Sequence, residues 1–550
     1  MDPLASSAGR ALSAVRIHHR LAAPVLGGVA ACGFQPLALW PLTIVAIAAL
    51  IELVARARSG RQAALLGWLF GVGHFTLGNN WIATAFTYQA NMPAWLGWIA
   101  VVLLSFYLAV YPALAAAAAW NISRPGKAGR DLRLPDSPRF VGLVFAACWI
   151  VSEWLRGWVL TGFAWNPLGV ALLGGYEAPG LARLAPFTGT YGLSGVLVGI
   201  AALVRTLCSS CLGSTGRGRV GALAGLIAGA ALLTLAMVLP ARAPRGAAGS
   251  LPFTLVQPDI RQEVLNEPDR YEQNFRRVAG LSIAAQPGEL RLVLWPESAV
   301  PDYLRDGYPQ PYYEGGTHAA NPALARQRLA GIIGARGLLL AGAVDLVIRD
   351  GAVVGARNAV TAIDDRGAIL AGYSKAHLVP FGEYLPLRLL LEPLGAARLV
   401  PGSLDFEAGP GPRTFDLGPW GRAGIQICYE IAFSGAVVDP RHRPDYIFNP
   451  SNDGWFGSWG SPQHLAQARL RAIEEGLPVL RSTTTGISAV IGPDGTVRQH
   501  LSRLTAGRLD GVVPYAAPPT PFARLGNALP LALAVLMLVI SLVAMRRPTR

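Results

Sequence analysis

Three short segments of this 550-residue chain carry residue types that together could do nucleophilic chemistry. "GIQICYE" at 424–430 holds Cys428, followed at once by Tyr429 and Glu430. "LRLVLWPES" at 290–298 carries Glu297. "AILAGYSKAHLVPFGEY" at 368–384 carries Lys375 and, eight residues on, Glu383. A cysteine attacks as its thiolate, so it needs a base or a positive environment. A carboxylate can take the proton. An ammonium can stabilise both the thiolate and the oxyanion of a tetrahedral intermediate. Lys375 is one of two lysines in the chain; arginine supplies every other basic charge, which suggests that a compact ammonium is wanted at 375. Each residue alone has a plainer reading. Cys428 could be core, Glu297 a solvated loop carboxylate, and Glu383 and Glu430 partners of arginines. His377, His442 and His464 show no ligand spacing with one another or with Cys428, so neither a metal nor another cofactor is implied.

These groups need a scaffold, and composition says what kind. The chain is 52% hydrophobic and 15% charged, too apolar for an ordinary soluble enzyme of this length. Residues 251–515 carry 25 Lys and Arg against 27 Asp and Glu, whereas the remainder carries 22 against 6. That basic excess sits in short segments between apolar runs, which argues for a membrane protein and against a nucleic-acid partner. Apolar runs lie at 21–35, 36–55, 62–86, 93–120, 139–156, 186–204, 219–240 and 525–545. Arginines cluster before the first (Arg10, Arg16, Arg20), after the second (Arg56, Arg58, Arg61), after the fourth (with Lys127), around Arg205–Arg219 and after the last. The alternate loops are nearly bare. This predicts cytoplasmic termini, seven spans in 1–240, a linker at 241–250, an extracytoplasmic domain at 251–515 and an eighth span at 525–545. The first apolar run continues into a second span, so no cleavable signal peptide is expected.

From residue 251 the pattern changes to short apolar stretches of strand length. They are "LPFTLVQ", "LRLVLWP", "LLLAGAVDLV", "AVTAID", "AILAGYS", "GIQICY", "DYIFN" and "SAVIG". "DDRG" at 364–367 and "PDG" at 493–495 signal hairpins, and "SPQHLAQARLRAIEEG" reads as a helix. The domain is therefore α/β. Cys208 and Cys211 form a lone C-x-x-C, a weak signal, and no disulfide framework is implied for 251–515.

"LWPESA", "YSKAHLVPFGEYLP", "ICYE" and "NPSNDGWFG", in this order, resemble the nitrilase (carbon–nitrogen hydrolase) superfamily. Framed by seven spans and an eighth, they resemble the apolipoprotein N-acyltransferase family of bacterial inner membranes. The resemblance implies a multi-span α-helical membrane domain with an inserted αββα sandwich. It implies a Glu297–Lys375–Cys428 triad, with Glu383 and Glu430 orienting it and Tyr429 beside the nucleophile. It also implies a reaction. Cys428 attacks the sn-1 ester of a phospholipid, typically phosphatidylethanolamine, with Glu297 as base and Lys375 on the oxyanion. The resulting thioester acylates the α-amine of an S-diacylglyceryl cysteine in an apolipoprotein, in a ping-pong cycle at the periplasmic face. Two departures stand out. Asn266 occupies a place where the family commonly has tryptophan, and "RSTTTGISA" at 481–489 has threonine before the glycine where asparagine is commoner.

Four further features are less specific. Residues 385–399, with Arg388 and Arg398 among apolar residues, could lie on the membrane as a lid or form a core helix. Trp81 and Trp455 are interfacial or pocket candidates. Glu153 and Arg156, three apart near the outer end of the fifth span, could mark function as an intramembrane pair or simply pair with each other. The triad alone would also allow a membrane-tethered amidase acting on a small amide, and the spans alone a transporter with an accessory domain.

Overall fold

The computed structural model describes the chain apart from residues 1–19, 89–92, 125–140, 242–248, 266, 287, 387, 389–392, 394–404 and 547–550. Most of the 385–399 segment, most of the linker, and Asn266 lie outside the described residues.

Among the described residues, eight helices occupy the eight apolar runs. They are α1 (Arg20–Ala31), α2 (Trp40–Ala55), α3 (Gly60–Gly78), α4 (Leu96–Ile122), α5 (Val141–Arg156), α6 (Ala185–Gly213), α7 (Arg217–Val238) and, after the α/β part, the C-terminal helix Ala528–Arg546. Four of these stretches, including α4, α6, α7 and the C-terminal helix, are long and apolar enough to cross a bilayer. The protein is a membrane protein. Two boundaries differ from the sequence reading. The first run stops being helical at Ala31, and the third breaks after Gly78, where Asn79 caps the helix before a short turn at Ile82–Ala85.

Among the described residues, the α/β part adds the longer helices α8 (Tyr271–Ser282), α9 (Pro322–Ile333) and α10 (Gly457–Glu475) and twelve strands. β1 (Pro252–Gln257), β2 (Arg291–Leu294), β3 (Gly337–Arg349), β4 (Ala352–Asp364) and β5 (Ile369–Ser374) form one sheet with β12 (Gly507–Val512), in the order β12-β1-β2-β3-β4-β5. β6 (Thr414–Asp416), β7 (Arg422–Ile425), β8 (Tyr446–Ser451), β9 (Val479–Thr483), β10 (Ser488–Ile491) and β11 (Val497–Leu501) form the other, in the order β11-β10-β9-β8-β7-β6. The central strands of each sheet are parallel, β1-β2-β3 and β7-β8-β9, as crossover helices require. Both hairpins expected from turn residues are present, β4–β5 and β10–β11. In the first, the Asp364 carboxylate accepts from the Arg366 and Ala368 amides.

Side chains alternate across a strand, and here the alternation builds three cores. Leu292, Leu294, Leu338 and Leu340 of the first sheet meet Tyr446, Phe448 and Leu480 of the second. Val293 and Leu339 point the other way, onto Phe275 and Val278 of α8 and Leu329 and Ile333 of α9. Ile447 and Val479 point onto Leu465, Ala468 and Ala472 of α10. That is an αββα sandwich.

Helix α10 also serves the membrane part. Its Ala466, Leu470 and Ile473 belong to the core of the apolar helices, among Phe70, Trp149 and Leu197. Every residue from Gln463 to Glu475 is buried, so α10 has no solvent face. Three of its polar residues bond across the junction. Gln463 accepts from the Trp165 indole at 2.8 Å and donates to the Gln35 carbonyl at 3.1 Å. Arg469 donates to the carbonyls of Gly174, Gly175 and Ala178. Glu474 accepts from both the amide and the hydroxyl of Thr190, each at 2.6 Å. Buried polar groups left unpaired are expensive, so this junction fixes the two parts against each other.

Candidate active site

The site lies where strands of both sheets end. Glu297 follows β2, Lys375 is the first residue after β5, and Cys428 opens a 3-10 turn, Cys428–Ala432, just beyond β7. Cys428 has φ +51, a left-handed conformation that costs a residue with a Cβ roughly 1–2 kcal/mol. Such strain persists where the surroundings impose it.

Lys375 is 1% exposed, and its Nζ is 2.9 Å from Glu383 Oε1 and 3.8 Å from Glu297 Oε1. Both carboxylates are themselves buried. Asn358, in the middle of β4, donates from Nδ2 to Glu297 Oε1 at 2.6 Å and to Glu383 Oε1 at 2.9 Å. The Asn452 amide holds Glu297 Oε2 at 2.7 Å, and the Val379 amide holds Glu383 Oε2 at 2.8 Å. Burial alone would push the Lys375 ammonium down. The charges of Glu383, Glu297 and Cys428 overcome it and hold it above the ordinary lysine range. Burial pushes the Cys428 thiol well up, Glu297 pushes it further, and Lys375 pulls it back. The thiol is therefore protonated at rest. A proton passed from sulfur to Glu297 leaves the net charge of the cluster unchanged, so burial does not forbid that step.

Glu430 joins the two loops. It accepts from the amides of Ile427 (2.8 Å), Ala376 (2.7 Å) and His377 (3.1 Å) and from the Tyr373 hydroxyl (2.8 Å). Burial raises its carboxyl to about 7 against the pull of these amides. The fold thus brings Glu297, Lys375, Cys428, Glu383 and Glu430 into one cluster. Tyr429 is buried, stacked at 6.4 Å on Trp165 from the loop after α5. Trp455 lies farther out, half-buried, with its ring 5.8 Å from that of Tyr88. Trp81 is a wall residue, packed on Trp165 and Phe456. An opening of about 350 Å³ beside the Lys375 loop is lined by Thr161, Ala376, His377, Leu378, Tyr384 and Phe406 among others.

Glu153 and Arg156 make no ion pair with each other among the described contacts, although their spacing would allow one. Glu153 instead accepts from the Trp149 indole and the Leu168 amide, both at 2.8 Å. Arg156 donates to the Trp165 carbonyl at 2.8 Å and lies near the Phe75 and Phe163 rings. The two hold neighbouring points, three residues apart, of the loop that stacks Trp165 on Tyr429.

Asn358, Asn452, Tyr373, Asp453, His464 and Arg481 escaped sequence reasoning. Asn358 had one available signal, a lone amide within a thirteen-residue strand of mostly small and apolar residues. Asn358→Asp would set a third carboxylate against Glu297 and Glu383 with one ammonium among them. An unpaired buried charge costs roughly 3–5 kcal/mol. The thermal midpoint should fall at neutral pH. The sign follows from linkage. The new carboxyl would have a raised pKa in the fold, so the penalty appears above its unfolded value of about 3.9 and vanishes below it. An unchanged midpoint at pH 7 would contradict this account of the cluster.

The profile described as apolipoprotein N-acyltransferase N-terminal domain matches residues 26–203, and that of carbon-nitrogen hydrolase matches residues 254–514. The apolipoprotein N-acyltransferase of Rhodopseudomonas palustris is 33% identical over 537 residues, 95% of this chain and 94% of that protein. The one from Bradyrhizobium diazoefficiens is 35% identical over 549 residues, 96% of each chain. A third, from Ralstonia nicotianae, is 34% identical over 581 residues, 99% of this chain and 98% of that protein. With a carbon–nitrogen hydrolase sandwich and an apolar helical part sharing one buried helix, the chain belongs to the apolipoprotein N-acyltransferase family.

Proposed function

We propose that this enzyme moves the sn-1 acyl chain of a phospholipid, with phosphatidylethanolamine as the donor, to the N-terminal α-amine of an S-diacylglyceryl cysteine in an apolipoprotein. The observation that carries the reading is the buried Lys375–Glu383–Glu297–Asn358 cluster beside Cys428, walled by a loop from the apolar helices.

Cys428 gives its proton to Glu297 as sulfur attacks the ester carbonyl carbon. The oxyanion forms against Lys375. The first amides of a helical turn lack partners within it, so the Tyr429 N–H is the second donor. Collapse breaks the ester bond, and the departing alkoxide takes the proton from Glu297, leaving a thioester and a lysophospholipid. The incoming α-amine has an ordinary pKa of about 8 and needs little help to lose a proton near neutral pH. It attacks the thioester carbonyl, Glu297 accepts its second proton, and the thiolate departs and is reprotonated from Glu297. Glu383 keeps Lys375 charged, and Glu430 holds the Lys375 and Cys428 loops together. Trp455 and Tyr429 border the acyl chain's place.

Residues 1–240 and 525–545 form the membrane domain of this proposal, and 251–515 the catalytic domain, joined at 241–250. The protein sits in the inner membrane with both termini cytoplasmic and residues 251–515 in the periplasm, where its two lipid substrates meet. The amidase alternative leaves the helix shared with the membrane part without a use.

Two experiments test this. Purified protein given phospholipid and a diacylglyceryl peptide should yield N-acyl peptide and lysophospholipid in equal amounts; hydrolysis of a small amide with no acyl transfer would favour the amidase. A reporter fused after residue 250 should work only if it functions in the periplasm, and one fused after residue 210 only if it functions in the cytoplasm. The opposite pair would overturn the orientation.

A further inference from the structure

Behind the nucleophile lies a buried polar column that the reaction steps above do not use. His464, Asp453 and Arg481 have fully buried side chains. Arg481 Nη2 donates to both oxygens of Asp453, at 2.7 and 2.8 Å, and lies 3.0 Å from His464 Nδ1. Asp453 Oδ1 is 3.1 Å from the same Nδ1. At the far side of the ring, His464 Nε2 is 2.9 Å from the Cys428 carbonyl oxygen. A carbonyl can only accept, so Nε2 carries the hydrogen in either protonation state. Burial, followed by the Arg481 charge, pushes the imidazole down, which favours the neutral ring with Nδ1 accepting from Arg481.

The column has a direction. It starts on β9 at Arg481, passes through the turn after β8 at Asp453, crosses to α10 at His464 and ends on the main chain of Cys428, whose backbone is strained. The neighbouring residue on α10, Gln463, is held by Trp165 and Gln35 of the membrane part. The ring itself packs on Trp165 and Phe456 at 5.3 and 5.1 Å between centroids. A histidine that served only packing would not need an oriented Nε2–H, nor two ionised groups to fix its tautomer.

We propose that His464 is a positioning residue. Its Nε2–H, oriented by Arg481 and Asp453, holds the Cys428 carbonyl and keeps the nucleophile's turn in the left-handed conformation that sets the sulfur beside Glu297 and Lys375. The inference rests on Cys428 being the nucleophile. Through α10, the clamp also fixes the turn relative to the membrane part.

Glutamine and asparagine separate this from packing. The amide nitrogen of a glutamine in place of His464 reaches about where Nε2 lies, whereas that of an asparagine stops near Nδ1. His464→Gln and His464→Asn therefore share chemistry but differ in whether they reach Cys428. The full-length protein in detergent would be given phospholipid alone, and the single-turnover rate of Cys428 acylation followed by mass. His464→Gln should stay within about fivefold of wild type. His464→Asn should lose about ten- to a hundredfold in rate with an unchanged half-saturating phospholipid concentration. Alkylation of Cys428 by iodoacetamide, which needs no lipid, should show the same order. Equal rates for the two variants, a loss wholly in half-saturation, or unfolding of both would overturn the proposal. A wild-type protein that alkylates at Cys428 but forms no acyl adduct would instead sink the reading of the reaction and leave the clamp to be judged on alkylation.

Discussion

Cys428→Ser protein is expected to fold, insert into the membrane and retain less than about 1% of wild-type turnover, a loss of more than about 2.7 kcal/mol of transition-state stabilisation. The substitution is nearly isosteric, so the tight packing around a side chain that is 5% exposed survives. What changes is the acid. Burial and Glu297 already raise the thiol well above its ordinary value, and Glu297 can take its proton during attack only because a thiol is far more acidic than a hydroxyl. A hydroxyl in the same place starts several pK units higher and meets the same burial. Neither the single carboxylate nor Lys375 can make up that difference. Turnover should be measured beside the thermal midpoint, because the account requires the first to collapse while the second moves little. A folded serine variant with more than a small fraction of wild-type turnover would show that some other residue carries the acyl group.

Lys375→Arg keeps the charge, and a reading based on charge alone expects little change. The structure argues for a large loss. The ammonium is 1% exposed, with carboxylate oxygens at 2.9 and 3.8 Å and Asn358 holding both of those carboxylates in place. A planar guanidinium is bulkier and needs its donors in one plane. It can keep Glu383 only by moving away from Cys428, or keep its place only by displacing the substrate carbonyl. Loss of one well-placed oxyanion donor costs roughly 3–4 kcal/mol, about a hundred- to a thousandfold in rate. The pull that Lys375 exerts on the thiol would weaken as well. The single-turnover rate of Cys428 acylation in folded protein is the measurement. A rate within about threefold of wild type, under 1 kcal/mol, would reduce Lys375 to a general positive charge.

The two layers of this protein are legible in its sequence to different degrees. Hydrophobic runs alone locate the eight helices of the apolar part among the described residues, because a bilayer demands long apolar runs. The strands carrying Glu297, Lys375 and Cys428 are visible because each is a compact apolar run ending in a charge or thiol. Of the four edge strands, only β5 is visible in this way. β6, β11 and β12 are half-exposed with mixed composition, so they lack the apolar signature of the buried ones. β9 reads as part of a loop because "RSTTTG" is polar. Its burial is complete because Arg481, Ser482 and Thr483 each find a partner within the core.

The supporting residues are hidden for a related reason. Asn358 acts across a sheet on residues 61 and 25 positions away. His464 acts on a carbonyl 36 positions away, and local spacing reports nothing of either. In the sequence the histidine is weighed only as a metal ligand, and its spacing argues against that. The fate of α10 is equally invisible. A helix with polar residues on several faces reads as amphipathic and surface-lying. Here both faces are covered, because Gln463, Arg469 and Glu474 are consumed by the membrane part.

The central claim is that Cys428 carries the acyl group between donor and acceptor. The most direct test is mass spectrometry of full-length protein incubated with phospholipid alone and digested. The account predicts a Cys428 peptide heavier by one acyl chain, sensitive to hydroxylamine, with one lysophospholipid released per adduct. Addition of a diacylglyceryl peptide should discharge it at once. An unmodified Cys428 in protein that goes on to acylate the peptide when both substrates are supplied would contradict it, because transfer would then be direct and no thioester would lie on the path.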